Sequence, residues 1–238
     1  MIVQACLNGA RPRSYHPGLP VTPDDMARQG AACVAAGAAE LHVHPRAADG
    51  RESLAAVDET IAALRLACPG TLVGVSTGAW IEGSEDETRR CIATWRERPD
   101  YASVNLSERD APAVMDALDR IGVRVEAGLA TAADARRFLT LPGRHRVLRL
   151  LIEIDEQDLR AAHAMVEDIA SILARGDARR PILLHGFDAT VWPLAELAFA
   201  RRWSTRVGLE DGRHCPDGSV APDNVALVAS AVRMLRRS

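Results

Sequence analysis

The sequence predicts a single closed (β/α)8 barrel. Eight short runs rich in Val, Ile and Leu alternate with eight Ala-rich amphipathic stretches, and 238 residues is the length one such barrel takes. No G-x-G-x-x-G follows the first run, so the usual reason to prefer an open doubly wound sheet is missing. No linker, low-complexity tract or solenoid-type repeat divides the chain, so residues 1–238 are read as one catalytic barrel domain.

The elements follow in order. IVQACLNG at 2–9 leads to a helical pattern at 23–37, which starts on a capping hydroxyl at Thr22, a proline at the first helical position and the acids Asp24 and Asp25 in the first turn, and stops at Gly37. ELHVHPR at 40–46 precedes a helix at 54–67, and TLVGVSTG at 71–78 one at 84–97. YASVNLS at 101–107 and RVEAGLA at 124–130 are followed by helices at 110–121 and 131–139. VLRLLIEI at 147–154 leads to 156–175, PILLHGFD at 181–188 to 191–202, and STRVGLED at 204–211 to the closing helix at 223–236.

Composition removes several function classes. A net charge of −3, scattered arginines and 4% aromatic residues offer neither a phosphate-tracking groove nor a base-stacking platform, so no nucleic-acid partner is expected. All 29 basic residues are arginine; without lysine there is no Walker phosphate loop, Schiff-base aldolase or pyridoxal-phosphate chemistry. The opening MIVQACLNGA has no basic n-region and no run approaches a membrane span, so a cytoplasmic protein without membrane partner is expected. Five widely spaced cysteines with no C-x-x-C read as reduced core fillers.

Strand side chains alternate between faces, and the polar residues fall repeatedly on one of them. His42 and His44 oppose Leu41 and Val43; Ser76 opposes Val73 and Val75; Ser103 and Asn105 oppose Val104 and Leu106; Glu126 opposes Val125 and Ala127; Arg206 and Glu210 oppose Val207 and Leu209. If that face is the barrel interior, these groups sit toward the carboxyl ends of their strands, where barrel enzymes carry their chemistry. Barrel layers draw on alternate strands, so His42, His44 and Glu210 can share a layer; two imidazoles and a carboxylate with open positions form a catalytic divalent site, with zinc or another divalent metal.

His16, His145, His163 and His214 fall in loops or helices and are expected to face solvent, whereas His185 lies in the seventh run as a ligand, a cosubstrate contact or a core group. Gly74 to Gly78 matches G-x-S-x-G, but Ala79 to Gly83 intervene before Ser84 can cap a helix, so Ser76 reads as a hydrogen-bond donor and not as a nucleophile. Asp211, directly after Glu210 and near Arg206, reads as a general base.

PVTPDD (20–25), AGAAELHVHPRAADG (36–50), VSTG (75–78), ASVN (102–105), RVGLEDG (206–212) and APDNVALV (221–228) together make the chain similar to the β-keto acid cleavage enzyme family, the 3-keto-5-aminohexanoate cleavage enzyme-like proteins. The resemblance implies a barrel that is often a homo-oligomer, including tetramers, with zinc on His42, His44 and Glu210. It implies that Ser76, Ser103, Glu126, Arg206 and Asp211 surround the substrate. In that scheme zinc chelates a β-keto acid, Asp211, oriented by Arg206 and Glu126, removes the proton beside the carbonyl, and the enolate attacks acetyl-CoA; a retro-Claisen cleavage then releases acetoacetate and a new acyl-CoA. The chain departs from the family in its sixth run, LLIEID in place of a Gly-rich stretch, and its seventh, HGFD in place of G-I-G-R. Arg11 stands where a glutamate receives an amine-bearing substrate, which points to an anionic or polar tail on the keto acid.

Other classes use similar ligands. A metal-dependent hydrolase of the amidohydrolase type also places H-x-H in a barrel but takes histidines from strands five and six, where this chain has none. An iron oxygenase uses two histidines and a carboxylate on an all-β scaffold. A noncatalytic keto-acid-binding relative would keep the metal and lose the thioester groove.

Overall fold

Hydrophobic alternation becomes eight parallel strands in the computed structural model, which describes residues 1–237: β1 (Val3–Cys6), β2 (Glu40–Val43), β3 (Leu72–Ser76), β4 (Tyr101–Asn105), β5 (Arg124–Leu129), β6 (Arg149–Ile154), β7 (Ile182–Gly186) and β8 (Ser204–Val207). They close in sequence order, β8 pairing back onto β1, so the barrel has no sheet edge left to protect. The helices are α1 (Pro23–Ala35), α2 (Val57–Ala67), α3 (Glu85–Thr94), α4 (Ala111–Arg120), α5 (Ala132–Thr140), α6 (Leu159–Arg175), α7 (Val191–Ala200) and α8 (Asn224–Leu235). All eight expected helices are present, with ends shifted by no more than three residues.

Local signals explain several starts. Thr22 Oγ1 accepts from Asp25 N at 3.1 Å with Pro23 in the first turn of α1, and Ser84 caps α3 by accepting from Glu87 N at 3.1 Å. Thr131 and Asp134 form a reciprocal capping box at α5. The segment from Ala79 to Ser84 separates β3 from α3, so Ser76 is not at a strand-to-helix elbow.

Register shows the two faces of the sheet directly. Residue pairs such as Gln4 with Glu40, Cys6 with His42, Ser103 with Glu126 and Glu126 with Arg149 run around one face, which is the interior. The opposite face supplies the apolar layer under the helices, including Leu41, Val43, Val73, Val75, Val104, Ile152, Leu184 and Val207, all buried. Each such side chain contributes about 1.5–3 kcal/mol when fully removed from water. The interior is instead largely polar.

β8 stops at Val207, although the apolar and polar alternation continues to Glu210. A Cβ on Gly208 would lie 1.8 Å from Cys6 O, so only glycine lets the chain pass this close to β1. The backbone then turns, with Asp211 N and Gly212 N both donating to Gly208 O at 3.0 Å. Residues 210 and 211 no longer point to opposite faces; both reach Arg206.

The five cysteines are free, and Cys6, Cys33 and Cys68 are buried. No helix among the described residues is long and apolar enough to cross a membrane. His145, His163 and His214 are exposed, as expected, but His16 is not: it is buried, with Nε2 2.9 Å from Ala221 O and Nδ1 accepting from Gly18 N at 3.0 Å. Ala221 sits in the loop before α8, a long-range contact that local periodicity does not encode.

Candidate active site

The carboxyl ends of the strands surround a cavity of about 500 Å³ whose wall includes Arg11, His42, His44, Ser76, Trp80, Ser103, Asn105, Glu153, Arg206 and Glu210. β2 and the residue after it supply the histidines, β3 and β4 the hydroxyl and amide side, β6 Glu153, and β8 with the turn after it the charged group. His44 Nε2 lies 3.4 Å and His42 Nε2 3.9 Å from Glu210 Oε1. All three residues are buried, and one ligand atom from each lies within 4.8 Å of the others, so they could hold a metal ion.

The donor set fits a divalent ion. Burial pushes His42 down to about 3, which keeps its ring neutral and its lone pair available. Burial alone would lower His44 too, but Glu210 and Glu52 outweigh it and raise its pKa to about 9. Burial raises the Glu210 carboxyl, yet Arg206 and the two imidazoles bring it well below the usual range, leaving it anionic. Buried Glu210 Oε2 has no hydrogen-bond partner among the described residues, the kind of orphan that an ion satisfies.

Supporting groups hold this arrangement. Glu52 Oε1 lies 2.5 Å from His44 Nδ1, and Glu52 Oε2 accepts from Trp80 Nε1 at 3.0 Å. Asn8 brackets the same residue: its Oδ1 accepts from His44 N, and its Nδ2 donates to His44 O, both at 2.9 Å. Arg46 NH2 donates to Gly9 O at 2.6 Å and Arg11 O at 2.8 Å, fixing the loop after β1. Gly9 has φ +53, and a Cβ there would lie 2.4 Å from Glu210 Cγ; the glycine makes room for the carboxylate.

Arg206 joins the acids. Its Nε donates to Asp211 Oδ1 at 3.1 Å, and its NH2 donates to Glu210 Oε1 at 2.8 Å and Asp211 Oδ1 at 2.9 Å. Asp211 is fully buried and is not part of the cavity wall, which Arg206 and Glu210 line. Arg11 Nε donates to Glu210 O at 3.1 Å and its NH2 lies 3.4 Å from Asp188 Oδ2, so its charge already has a partner at the rim.

Glu126 is not brought to Asp211. It lies inside the barrel as its alternation requires, but its partners are Arg149 Nε at 2.6 Å and Gln4 Nε2 at 3.4 Å. Arg149 also pairs with Glu40, and Gln4 Nε2 donates to Tyr101 OH at 2.8 Å. This is a separate buried polar cluster near the amino ends of the strands, which corrects the expectation that Glu126 orients Asp211.

Glu52, Arg46 and Glu153 escaped the sequence reading. Glu153 shares the inward parity of Arg149, a signal hidden by the apolar run around it. Its register partner is His185, whose Nε2 lies 3.1 Å from Glu153 Oε2. Arg206 NH2 is 3.5 Å from the same oxygen. Burial would raise the Glu153 carboxyl, but His185 and Arg206 lower it below its ordinary value.

Fold and site together define a (β/α)8-barrel protein with a buried His-His-Glu cluster of metal-binding type beside an arginine, at the end of the barrel where such proteins do chemistry. A family model for beta-keto acid cleavage enzymes matches residues 1–174 and 152–238, and the chain belongs to that family. Among solved structures it is similar to ObcA in a binary complex with oxaloacetate, at 19% identity and a TM-score of 0.72, covering 91% of this chain and 63% of that one. ObcA in a ternary complex with a C4-CoA adduct and oxalate gives 17% identity and 0.76, covering 93% and 64%. A type I 3-dehydroquinate dehydratase from Clostridium difficile gives 12% and 0.65, covering 97% and 91%. At these identities the likeness is one of fold, and the chain spans less than two thirds of the length of the ObcA chains it matches.

Proposed function

We propose that this protein is a zinc-dependent β-keto acid cleavage enzyme that condenses a β-keto acid with acetyl-CoA and releases acetoacetate and an acyl-CoA. The observation that carries the reading is the convergence of His42, His44 and Glu210 on a cavity that also presents Arg206. ObcA, which shares the fold, has been captured with oxaloacetate and with a C4-CoA adduct, ligands of the same chemical classes.

A divalent metal bound by His42, His44 and Glu210 would act as a Lewis acid toward the keto acid's oxygens. The protein's own groups complete the chemistry. Ser76, Ser103 and Asn105 line the opposite wall and orient the carboxylate and carbonyl by hydrogen bonds. The Arg206 guanidinium gives developing oxyanion charge a preorganised partner in a site shielded from water. The carboxylate pole around Arg206, with Asp211 as its buried member, receives the proton from the carbon beside the carbonyl. Arg11 at the rim selects a keto acid with an anionic or polar tail.

Zinc-loaded protein incubated with acetyl-CoA and a panel of β-keto acids should form acetoacetate and the matching acyl-CoA, and His42→Ala should form neither. Retained activity in His42→Ala removes the metal from the mechanism. Equal turnover of an amine-bearing substrate by wild type and Arg11→Glu removes the tail assignment.

A further inference from the structure

Within the proposed function, one assignment is not met by the geometry. Asp211 is fully buried and does not line the cavity, whereas Arg206, which donates to it, does. A general base must come within hydrogen-bond reach of the proton it takes. Glu153 is placed to do so: it lines the cavity, its side chain is 26% exposed, and its Oε2 is held by both His185 Nε2 and Arg206 NH2. His185 is itself 1% exposed and bridges the two carboxylates, with Nε2 3.1 Å from Glu153 and Nδ1 3.2 Å from Asp211 Oδ1. The second of these contacts is off the hydrogen-bond direction, so the imidazole is directed chiefly at Glu153.

We infer that Glu153 is the catalytic base that meets the substrate, and that His185 and Asp211 are positioning residues behind it. The step is a single proton transfer. The C–H bond between the keto acid's carbonyl and carboxylate breaks, an O–H bond forms on Glu153, and the electron pair stays on the substrate as its enolate. Two features of the wall favour this division of labour. Glu153 and His185 are register partners on adjacent strands, so their contact is set by the barrel and not by a mobile loop. The shared guanidinium of Arg206 sits beside the oxygen that would take the proton and beside Glu210, so base and oxyanion partner are fixed relative to each other.

The inference rests on the keto acid reading, and the test separates the two. Zinc-loaded protein is incubated with a β-keto acid in deuterated buffer without acetyl-CoA, and loss of the α-proton signal is followed by proton NMR, with zinc content measured on every sample. Wild type should exchange well above the spontaneous rate. Glu153→Gln should lose ~100-fold or more of that rate with zinc content and KM within threefold, and Glu153→Asp should recover part of it. His185→Gln should lose about tenfold in rate at unchanged KM. Glu153→Gln exchanging within threefold of wild type would overturn this inference alone, and so would a Glu153→Gln loss that Glu153→Asp leaves unrelieved. No exchange by wild type on any keto acid would overturn the parent reading and this one with it. Should Glu153→Gln fail to fold, judged by circular dichroism, the Glu153→Asp and His185→Gln rates decide: wild-type exchange in both counts against the base.

Discussion

Glu52 Oε1 lies 2.5 Å from His44 Nδ1, so the carboxylate fixes the ring that presents its Nε2 toward Glu210. A carboxylate behind a ligating imidazole sets its tautomer and increases its basicity, and losing such a partner costs ~10–100-fold in metal affinity. Glu52→Gln should therefore weaken zinc binding by that factor in calorimetry while leaving the thermal midpoint of the metal-free protein within a few degrees. Unchanged affinity would mean that Asn8 and packing alone orient His44.

Gly9 makes the same centre sensitive to a single methyl group. An alanine there meets Glu210 Cγ at 2.4 Å and is held at φ +53, which costs a non-glycine residue roughly 1–2 kcal/mol. Gly9→Ala should lower stability by about that amount and displace the Glu210 carboxylate, reducing zinc affinity at least ~10-fold. Denaturant titration and calorimetry read the two effects separately. A stable variant with full affinity would show that the loop after β1 yields without disturbing Glu210.

The cluster near the amino ends of the strands predicts a purely structural phenotype. Arg149 is buried between Glu126 and Glu40, and Glu126 is fully buried. Removing one partner of a buried ion pair leaves an uncompensated charge and costs about 3–5 kcal/mol. Arg149→Met should destabilise by that order in urea, and adding Glu126→Gln should restore part of it by removing one of the two orphaned charges. A single variant within 1 kcal/mol of wild type would show that water reaches the cluster.

The contrast between these regions shows what the amino-acid pattern encodes. Period-two alternation identifies the interior face, so His42, His44, Ser76, Ser103 and Glu126 were all legible as inward-facing. It does not encode depth along the barrel, which is why Glu126 reads as a site residue although Arg149 holds it lower down. Asp211 has the wrong parity for the interior and reaches Arg206 only because the strand ends at Val207 and the chain turns after Gly208. Glu52 arrives from a short loop closed by the antiparallel bridge between Arg46 and Glu52, which leaves no periodic signature in the sequence. His185 stood out as a histidine in a strand, but its role needs Glu153, and a lone acid inside VLRLLIEI carries no marker of its partner across the register.

That pair also predicts a pH dependence of stability. Burial and Arg206 lower the His185 pKa, but Asp211 and Glu153 outweigh them, so its folded value lies above its ordinary 6.5. The folded state then holds a proton that the unfolded chain releases, and its stabilising contribution is fully present below about pH 6.5 and fades as pH rises through the folded value. Losing a hydrogen bond to a charged group costs about 1.5–3 kcal/mol. In urea titrations of metal-free protein, His185→Gln should therefore be destabilised by that order at pH 6, with the gap from wild type narrowing at pH 9. A constant gap across this range would mean that His185 is neutral in the folded protein and that packing, not charge, ties it to Glu153. A gap that widens with pH would reverse the sign of the linkage and require the neutral ring to be the form the barrel favours.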